Sequence, residues 1–164
     1  MSEKAPKPSK ASPPKISIVN QFISDFSFEN IAAQKSLAKV ESPEINVQVN
    51  LNANKHSDES YKVILTIKAS AKNKDQDVFL LELDYAGIFK IDNVPDEHIH
   101  PVLMIECPRL LFPFSRRIIR DTVADGGFPP LNIDNLDFLQ LYQGEIEKRK
   151  QAGAQKGEDK KTLN

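Results

Sequence analysis

The chain has one cysteine, no tryptophan and six glycines in 164 residues. A single cysteine cannot form an intramolecular disulfide, and it fits a reducing compartment such as the cytoplasm. No apolar run is long enough to cross a bilayer, and the first 15 residues lack the apolar stretch of a secretory signal. These absences exclude disulfide-stapled and membrane-spanning proteins. They predict a soluble, cytoplasmic protein.

The net charge of −1 hides an uneven distribution of charge along the chain. Residues 1–15 carry +3 and residues 148–164 carry +4, whereas residues 16–147 hold 12 basic and 20 acidic residues. The acidic central part would repel phosphate, which argues against nucleic-acid binding. The negative charge of this central part either attracts a basic protein partner or serves only to keep the protein soluble. We predict one domain at 16–147, with disordered tails at 1–15 and 148–164.

Four segments alternate apolar and polar residues with a period of two, which is typical of strands with one buried and one wet face. They are Ile16–Phe28, Ile45–Asn54, Tyr61–Lys72 and Asp77–Phe89. Short polar connections predict hairpins between the last three, while residues 29–44 are long enough to cross over the sheet. In the first segment, the alternation predicts Phe22 on the buried face and Gln21 and Asp25 on the wet face.

The second half of the chain has the three- and four-residue spacing of helices. A first helix is expected to end at Asp125–Pro130. Pro101, Pro108 and Pro113 predict that this helix is kinked or irregular at its start. Its main apolar stripe is predicted to hold Leu103, Cys107, Leu110, Leu111, Phe114, Ile118 and Thr122. Because Phe112, Ile119 and Val123 lie off that stripe, we expect a second subunit to cover the helix. A second helix is predicted at Asn135–Lys150, which makes the fold class α+β.

The sequence contains no arrangement that predicts catalysis, a cofactor or a metal. His98 and His100 diverge on a helix, and Cys107 has no cysteine partner. Cys107 is expected to be a small buried apolar residue, not a reactive thiol. Arg116, Arg117 and Arg120 are expected to form a solvated helix face. We therefore predict that the protein is not an enzyme.

The wet face of the predicted sheet concentrates acidic side chains around one apolar residue. This group, called the docking patch below, consists of Asp25, Glu29, Leu80, Glu82 and Asp84. Exposed carboxylates often contribute only solubility. Gathered on one face with Leu80, they could instead dock a protein partner.

Two strings in the helical half resemble those of the SecB protein-export chaperone family. They are ECPRLLFPFSRRII, which begins at Glu106, and DGGFPPLNI, which begins at Asp125. A helix beginning NLDFLQLY at Asn135 follows them, and the order of four strands and then helices agrees. The resemblance extends from Ile16 to Gln151.

The resemblance implies a homotetramer, built as a dimer of dimers, that holds unfolded precursor proteins (clients) without ATP and passes them to SecA, the motor of the Sec translocase. It implies SecA binding by four residues of the docking patch, namely Asp25, Glu29, Leu80 and Glu82. It implies client binding in an apolar groove formed with Leu37, Val40, Phe128, Phe138 and Tyr142. For subunit contacts, the expected residues are Phe79, Leu81, Leu83, Cys107 and Leu111.

Two other functions remain open from the sequence, because a fold alone does not determine function. One is an α+β protein that binds a small molecule. The other is a related holding chaperone with a different destination, such as an antitoxin-type partner.

Overall fold

The computed structural model describes residues 12–37 and 42–158, so residues 1–11 of the predicted tail at 1–15, residues 38–41 of the crossover and residues 159–164 of the predicted tail at 148–164 lie outside it. Four long strands form one antiparallel sheet in the order β1-β4-β3-β2. The strands are β1 (Lys15–Glu29), β2 (Glu44–Ser57), β3 (Ser60–Asn73) and β4 (Gln76–Asp92). The predicted four-stranded antiparallel sheet is confirmed, and β1 and β2 form its two edges.

The connections between strands follow from their lengths. Two residues separate β2 from β3 and two separate β3 from β4, as the polar hairpin signals predict. Because β1 and β2 lie at opposite edges, the chain between them must cross the sheet. This crossover begins with a short helix, α1 (Ile31–Gln34), whose first turn is capped by Asn30: its Oδ1 accepts a hydrogen bond from the amide N–H of Ala33 at 3.1 Å.

The first helical stretch has three parts: α2 (Asp96–Pro101), a π-helical segment (Val102–Glu106) and α3 (Cys107–Asp125). Pro101 and Pro108 lack the N–H that continues an α-helix, and the π-helical segment lies between them. The predicted irregular start is therefore confirmed. Gly127, with φ +86°, follows the end of α3 in a left-handed conformation that favours glycine.

The last helix, α4 (Phe138–Glu158), differs from the prediction at both ends. It begins three residues later than Asn135, because the carboxylate of Asp137 accepts a hydrogen bond from the amide N–H of Gln140 and caps it. It also continues to Glu158, so the first part of the predicted disordered tail at 148–164 is helical. Residues 148–158 contain no proline, and Lys, Gln, Ala and Arg favour a helix there.

The helices cover one face of the sheet, and no element of residues 12–37 and 42–158 covers the opposite face, called the open face below. From the π-helical segment into α3, one row of buried residues recurs every four positions: Leu103, Cys107, Leu111, Ser115, Ile119 and Val123. The stripe predicted from the sequence was wrong in part, since Leu110 and Phe114 are each 41% exposed. A straight row of residues four apart packs on the sheet, and Leu110 and Phe114 lie outside that row.

Two bulges in β1 correct the predicted faces of that strand. The pairing with β4 shifts between Ile18 and Asn20 and again between Ile23 and Asp25. Phe22 consequently lies opposite Ala86 on the open face, beside the ammonium of Lys62, which is 5.7 Å from the centre of its ring. The prediction of Phe22 on the buried face was therefore wrong. An extra residue in a strand reverses the alternation on one side of it.

Candidate functional site

The structure brings all five residues of the docking patch together on the open face. Glu29 lies opposite Leu80 in the pairing of β1 with β4, and Asp25 lies opposite Asp84. Glu82 lies between these two rows. Residues directly opposite each other on an antiparallel pair point to the same face, so the patch is a single surface.

The charges of the docking patch are only partly neutralised. The carboxylate of Glu82 forms an ion pair with the ammonium of Lys68 at 3.0 Å. The hydroxyl of Thr66 donates a hydrogen bond to the carboxylate of Asp84 at 2.5 Å. Within the described residues, the carboxylate of Asp25 accepts one hydrogen bond, from the backbone N–H of Phe26. No ion pair within residues 12–37 and 42–158 involves Asp25 or Glu29. The patch thus keeps a negative field available to a cationic partner.

Leu80 gives the docking patch an apolar centre. Its side chain is 38% exposed, and it borders a shallow depression of about 310 Å3 together with Glu29, Glu82 and Lys68. An exposed leucine encircled by charges is a surface that a partner can desolvate while the charges orient it.

On the opposite face, an apolar groove of about 810 Å3 lies between the crossover and the turn after α3. This crossover groove is lined by Ala32, Leu37, Pro43, Ile45, Phe79, Val123, Phe128, Pro129, Pro130 and Leu131, among others. Two of the lining residues are aromatic: the ring centres of Phe79 and Phe128 lie 5.2 Å apart, and Phe79 also packs against Phe28, whose ring centre is 5.8 Å away. The groove therefore offers a largely apolar surface to a ligand.

Two close approaches hold the walls of the crossover groove together. The side-chain amide of Asn30 donates to the backbone carbonyl of Gly126 at 2.8 Å, which ties the crossover to the end of α3. A Cβ atom on Gly126 would lie 2.7 Å from the ring of Phe28. Only glycine permits this contact, so the DGGFPP turn is set by packing as well as by backbone conformation.

The crossover groove contains only part of the client-binding set expected from the sequence. Leu37 and Phe128 line it, and Val40 lies outside the described residues. Phe138 does not line it, because its side chain is 1% exposed and packs edge-on against Phe112. Tyr142 contacts His100 and borders a separate depression of about 380 Å3 between β2 and α4. Phe138 must therefore be removed from the set of contact residues.

The subunit-contact residues expected from the sequence also need correction. Phe79, Leu81, Leu83, Cys107 and Leu111 are at most 3% exposed in the single chain, because they form the layer between sheet and helices. They already contact residues of their own chain and present no surface to another subunit. The exposed apolar side chains lie elsewhere: Ile18, Val19, Ile23 and Phe26 on β1, and Leu110 and Phe114 on α3.

Cys107 is fully buried, and burial, together with the negative charge of Glu106, raises the pKa of its thiol from 9.0 to about 12. The thiol is therefore neutral at physiological pH and a poor nucleophile. In the described part of the chain, no group of three His, Cys, Asp or Glu residues could hold a metal ion. The buried, unreactive cysteine agrees with the sequence prediction.

Asn30 and Ile45 are among the residues of the crossover groove that the sequence analysis missed. Asn30 could have been found as a helix cap, since asparagine before a short apolar helix is a typical N-cap. Ile45 lies on β2 and is 41% exposed, although its place in the alternation predicts the buried face. It lines the groove together with Leu37 and Phe79.

Comparisons with known proteins agree with this fold. None of the helices in the described residues is long and apolar enough to span a membrane. In solved structures, a SecB-like chaperone from Mycobacterium tuberculosis, in complex with a peptide from the HigA1 antitoxin, matches with a TM-score of 0.59. The match covers 74% of this chain and 90% of that one at 16% identity, so it supports the fold alone.

The sequence comparisons are more specific. The family model described as preprotein translocase subunit SecB matches residues 9–149. The protein-export protein SecB of Roseobacter denitrificans is 51% identical over 87% of this chain and 88% of its own length. That of Dinoroseobacter shibae is 55% identical over 83% of this chain and 81% of its own. The chain therefore belongs to the SecB family of protein-export proteins.

Proposed function

We propose that the protein holds unfolded precursor proteins in the crossover groove and delivers them to SecA through the docking patch. It does so in the cytoplasm, without ATP and as a dimer of dimers. The observation that carries the proposal is the placement of the two surfaces on opposite faces of one sheet. Phe79, on the groove floor, and Leu80, at the centre of the docking patch, are consecutive residues of β4 and point to opposite faces. Client and SecA can therefore be bound at the same time.

The crossover groove suits a client that is unfolded. An unfolded chain exposes apolar segments that a folded protein buries, so a groove that binds these segments selects the unfolded state. Each Å2 of apolar surface removed from water contributes about 25 cal/mol, whatever the order of the apolar residues. Binding of this kind needs no nucleotide and no specific sequence.

The docking patch suits a partner with a basic, partly apolar surface. The free carboxylates of Asp25 and Glu29 accelerate encounter with such a surface and orient it. Leu80 supplies apolar area that is removed from water in the complex. The interaction should therefore weaken as salt increases.

The proposed oligomer follows from the apolar side chains that the single chain leaves exposed. Ile23 lies opposite Tyr85 on the strand pair, and Phe114 of α3 stacks on Tyr85 with ring centres 6.3 Å apart. Ile23 is 47% exposed and Phe114 is 41% exposed. This apolar area adjoins the unpaired edge of β1, and exposed strand edges of this kind are normally covered.

The test uses two variants that should separate the two surfaces. In the groove variant, Leu37→Asp and Ile45→Asp place charges where a client would be buried. We expect affinity for an unfolded precursor to fall at least tenfold, because both apolar contacts are lost. Affinity for SecA should stay unchanged. Titration calorimetry with each partner gives both values, and Leu139→Asp, on the exposed side of α4, is the control.

In the docking-patch variant, Asp25→Lys and Glu82→Lys reverse two charges. Affinity for SecA should fall at least tenfold at low salt, while client binding is retained. A matched control reverses two exposed acids elsewhere, Asp58→Lys and Glu145→Lys. Equal SecA affinity for the patch variant and the control would refute the docking patch. Client binding that survives the groove variant would refute the groove.

A further inference from the structure

We propose that Lys148 and Arg149, at the rim of the depression between β2 and α4, make the protein prefer clients whose apolar segments are flanked by acidic residues. This inference rests on the proposed holding function and names the class of client that the protein binds best. The depression, called the α4 depression below, has a volume of about 380 Å3. Tyr142, which the family resemblance assigns to client binding, lies on its wall.

The walls of the α4 depression include several apolar side chains. Val49 and Leu51 of β2 lie on one side, and Leu141 of α4 lies on the other. Met104 of the π-helical segment also lines the depression and is buried, whereas Leu141 is 39% exposed. Exposed apolar area next to charged side chains suits a client segment that carries both kinds of residue.

The rim of the α4 depression is basic. Lys148 and Arg149 line it against a single acid, Glu145, and all three side chains are exposed. The spacing of Glu145 from the two bases would allow ion pairs along the helix. However, no ion pair within residues 12–37 and 42–158 involves any of the three. The two positive charges are therefore available to the carboxylates of a client.

The crossover groove differs from the α4 depression in its charge. None of the described residues that line the crossover groove is charged. These residues bind a client through apolar area, which does not distinguish an acidic client from a basic one. The rim of the α4 depression adds that distinction, because opposite charges across an interface contribute more to specificity than to affinity.

One extended client segment can reach both sites, because both border β2. Ile45 lines the crossover groove and Val49 lines the α4 depression. Val47 lies between them on the same face of the strand and is partly buried. Ile45 and Val49 are about 14 Å apart at the rise of an antiparallel strand, a distance that about four residues of an extended client cover. A client held in the groove therefore places its next residues beside the basic rim.

Three fluorescently labelled peptides test the preference with the full-length protein. Each has the same unfolded apolar run of about eight residues, joined to a short run of Glu, Gln or Lys. In fluorescence anisotropy at low salt, the Glu peptide should bind about threefold to tenfold more tightly than the Gln peptide, and the Lys peptide more weakly than either. The differences should vanish at high salt. Equal affinity for all three peptides would overturn the preference and leave the holding function intact, whereas binding of none would overturn both.

A pair of variants tests which charges cause the preference. Lys148→Gln with Arg149→Gln should abolish it and leave the affinity for the Gln peptide unchanged. The matched control, Lys62→Gln with Lys90→Gln, removes two positive charges from the open face and should keep the preference. A preference that persists in the α4 variant, or that is lost equally in both variants, would contradict the proposal.

The place of contact is tested by cross-linking. A zero-length carbodiimide joins amines to carboxylates in contact, so the Glu peptide should become linked to Lys148, as identified by mass spectrometry. Links to Lys62 or Lys90 with none to Lys148 would overturn the proposal. The mass of the α4 variant in light scattering should equal that of the unaltered protein. A lower mass would show that a second copy of the chain, not a client, covers the α4 depression, and would also overturn the proposal.

Discussion

At the scale of single residues, Cys107 shows how burial controls chemistry. Its thiol has no exposed surface, and its pKa is raised to about 12. Between pH 9 and 12 the unfolded chain loses the thiol proton while the folded protein keeps it. The unfolded state then binds fewer protons, so Cys107 lowers the stability of the fold as pH rises through this range.

This difference predicts the reactivity of the thiol. At pH 8 the reaction of Cys107 with iodoacetamide should be at least about a thousandfold slower in the folded protein than in urea, because three pKa units separate the two thiolate populations. Mass spectrometry of samples quenched over time gives both rates. The rate in urea should level off above about pH 10, where the unfolded thiol is almost fully ionised. A folded-state rate within tenfold of the unfolded rate at pH 8 would contradict burial of the sulfur.

Residue-level prediction from the sequence succeeded where alternation is unbroken and failed at the bulges. Asp25 and Glu29 follow the second bulge of β1, and their predicted face is correct. Phe22 precedes it, and its predicted face is wrong. An extra residue in a strand has no local signature in composition, since Ser24 looks like any other polar strand residue. Its position depends on pairing with β4, which is a tertiary property.

At the scale of elements, the crossover is attached to α3 through Asn30. Its side chain caps α1 with one atom and donates to the carbonyl of Gly126 with another. Asn30→Ala should lower the free energy of unfolding by about 1–2 kcal/mol, because a cap and a partly buried hydrogen bond are lost together. Urea unfolding followed by circular dichroism measures the change.

A matched control for this variant is Asn52→Ala. The side-chain oxygen Oδ1 of Asn52 accepts an exposed hydrogen bond from the side-chain amide of Asn54, so its loss should cost well below 1 kcal/mol. If the two variants are equally stable, Asn30 does not hold the crossover to α3.

The two long helices were predictable, but their ends and buried faces were not, and neither were the short α1 and the π-helical segment. The two proline-rich strings located α3 and its stop, because proline and glycine act through local geometry. The buried row of α3 was not predictable, since apolar residues surround the helix and the sheet selects only one row. The same applies to Phe138, whose burial against Phe112 depends on where α4 returns to the core.

At the scale of the whole molecule, strand alternation and helix periodicity were sufficient for the sheet, the helical layer and the docking patch. They were not sufficient for the subunit contacts. The most apolar residues were expected there, but the single chain already buries them between sheet and helices. A subunit interface must instead use the apolar side chains that the folded chain leaves exposed. Only the folded structure reveals that Leu110 and Phe114 are two of these side chains.

The exposed row of α3 leads to the last prediction. Leu110→Glu and Phe114→Glu should reduce the mass of the particle in light scattering. If the exposed row of α3 forms a contact in the proposed dimer of dimers, each subunit would have to bury two added carboxylates there. Since both side chains are exposed, the fold of the subunit should survive, with an unchanged circular dichroism spectrum. Leu139→Glu and Leu141→Glu on α4, which have similar exposure, are the control and should leave the mass unchanged. An unchanged mass for the α3 variant would place the subunit contact elsewhere, with the unpaired edge of β1 and its exposed Ile18, Val19 and Ile23 as the remaining apolar surface.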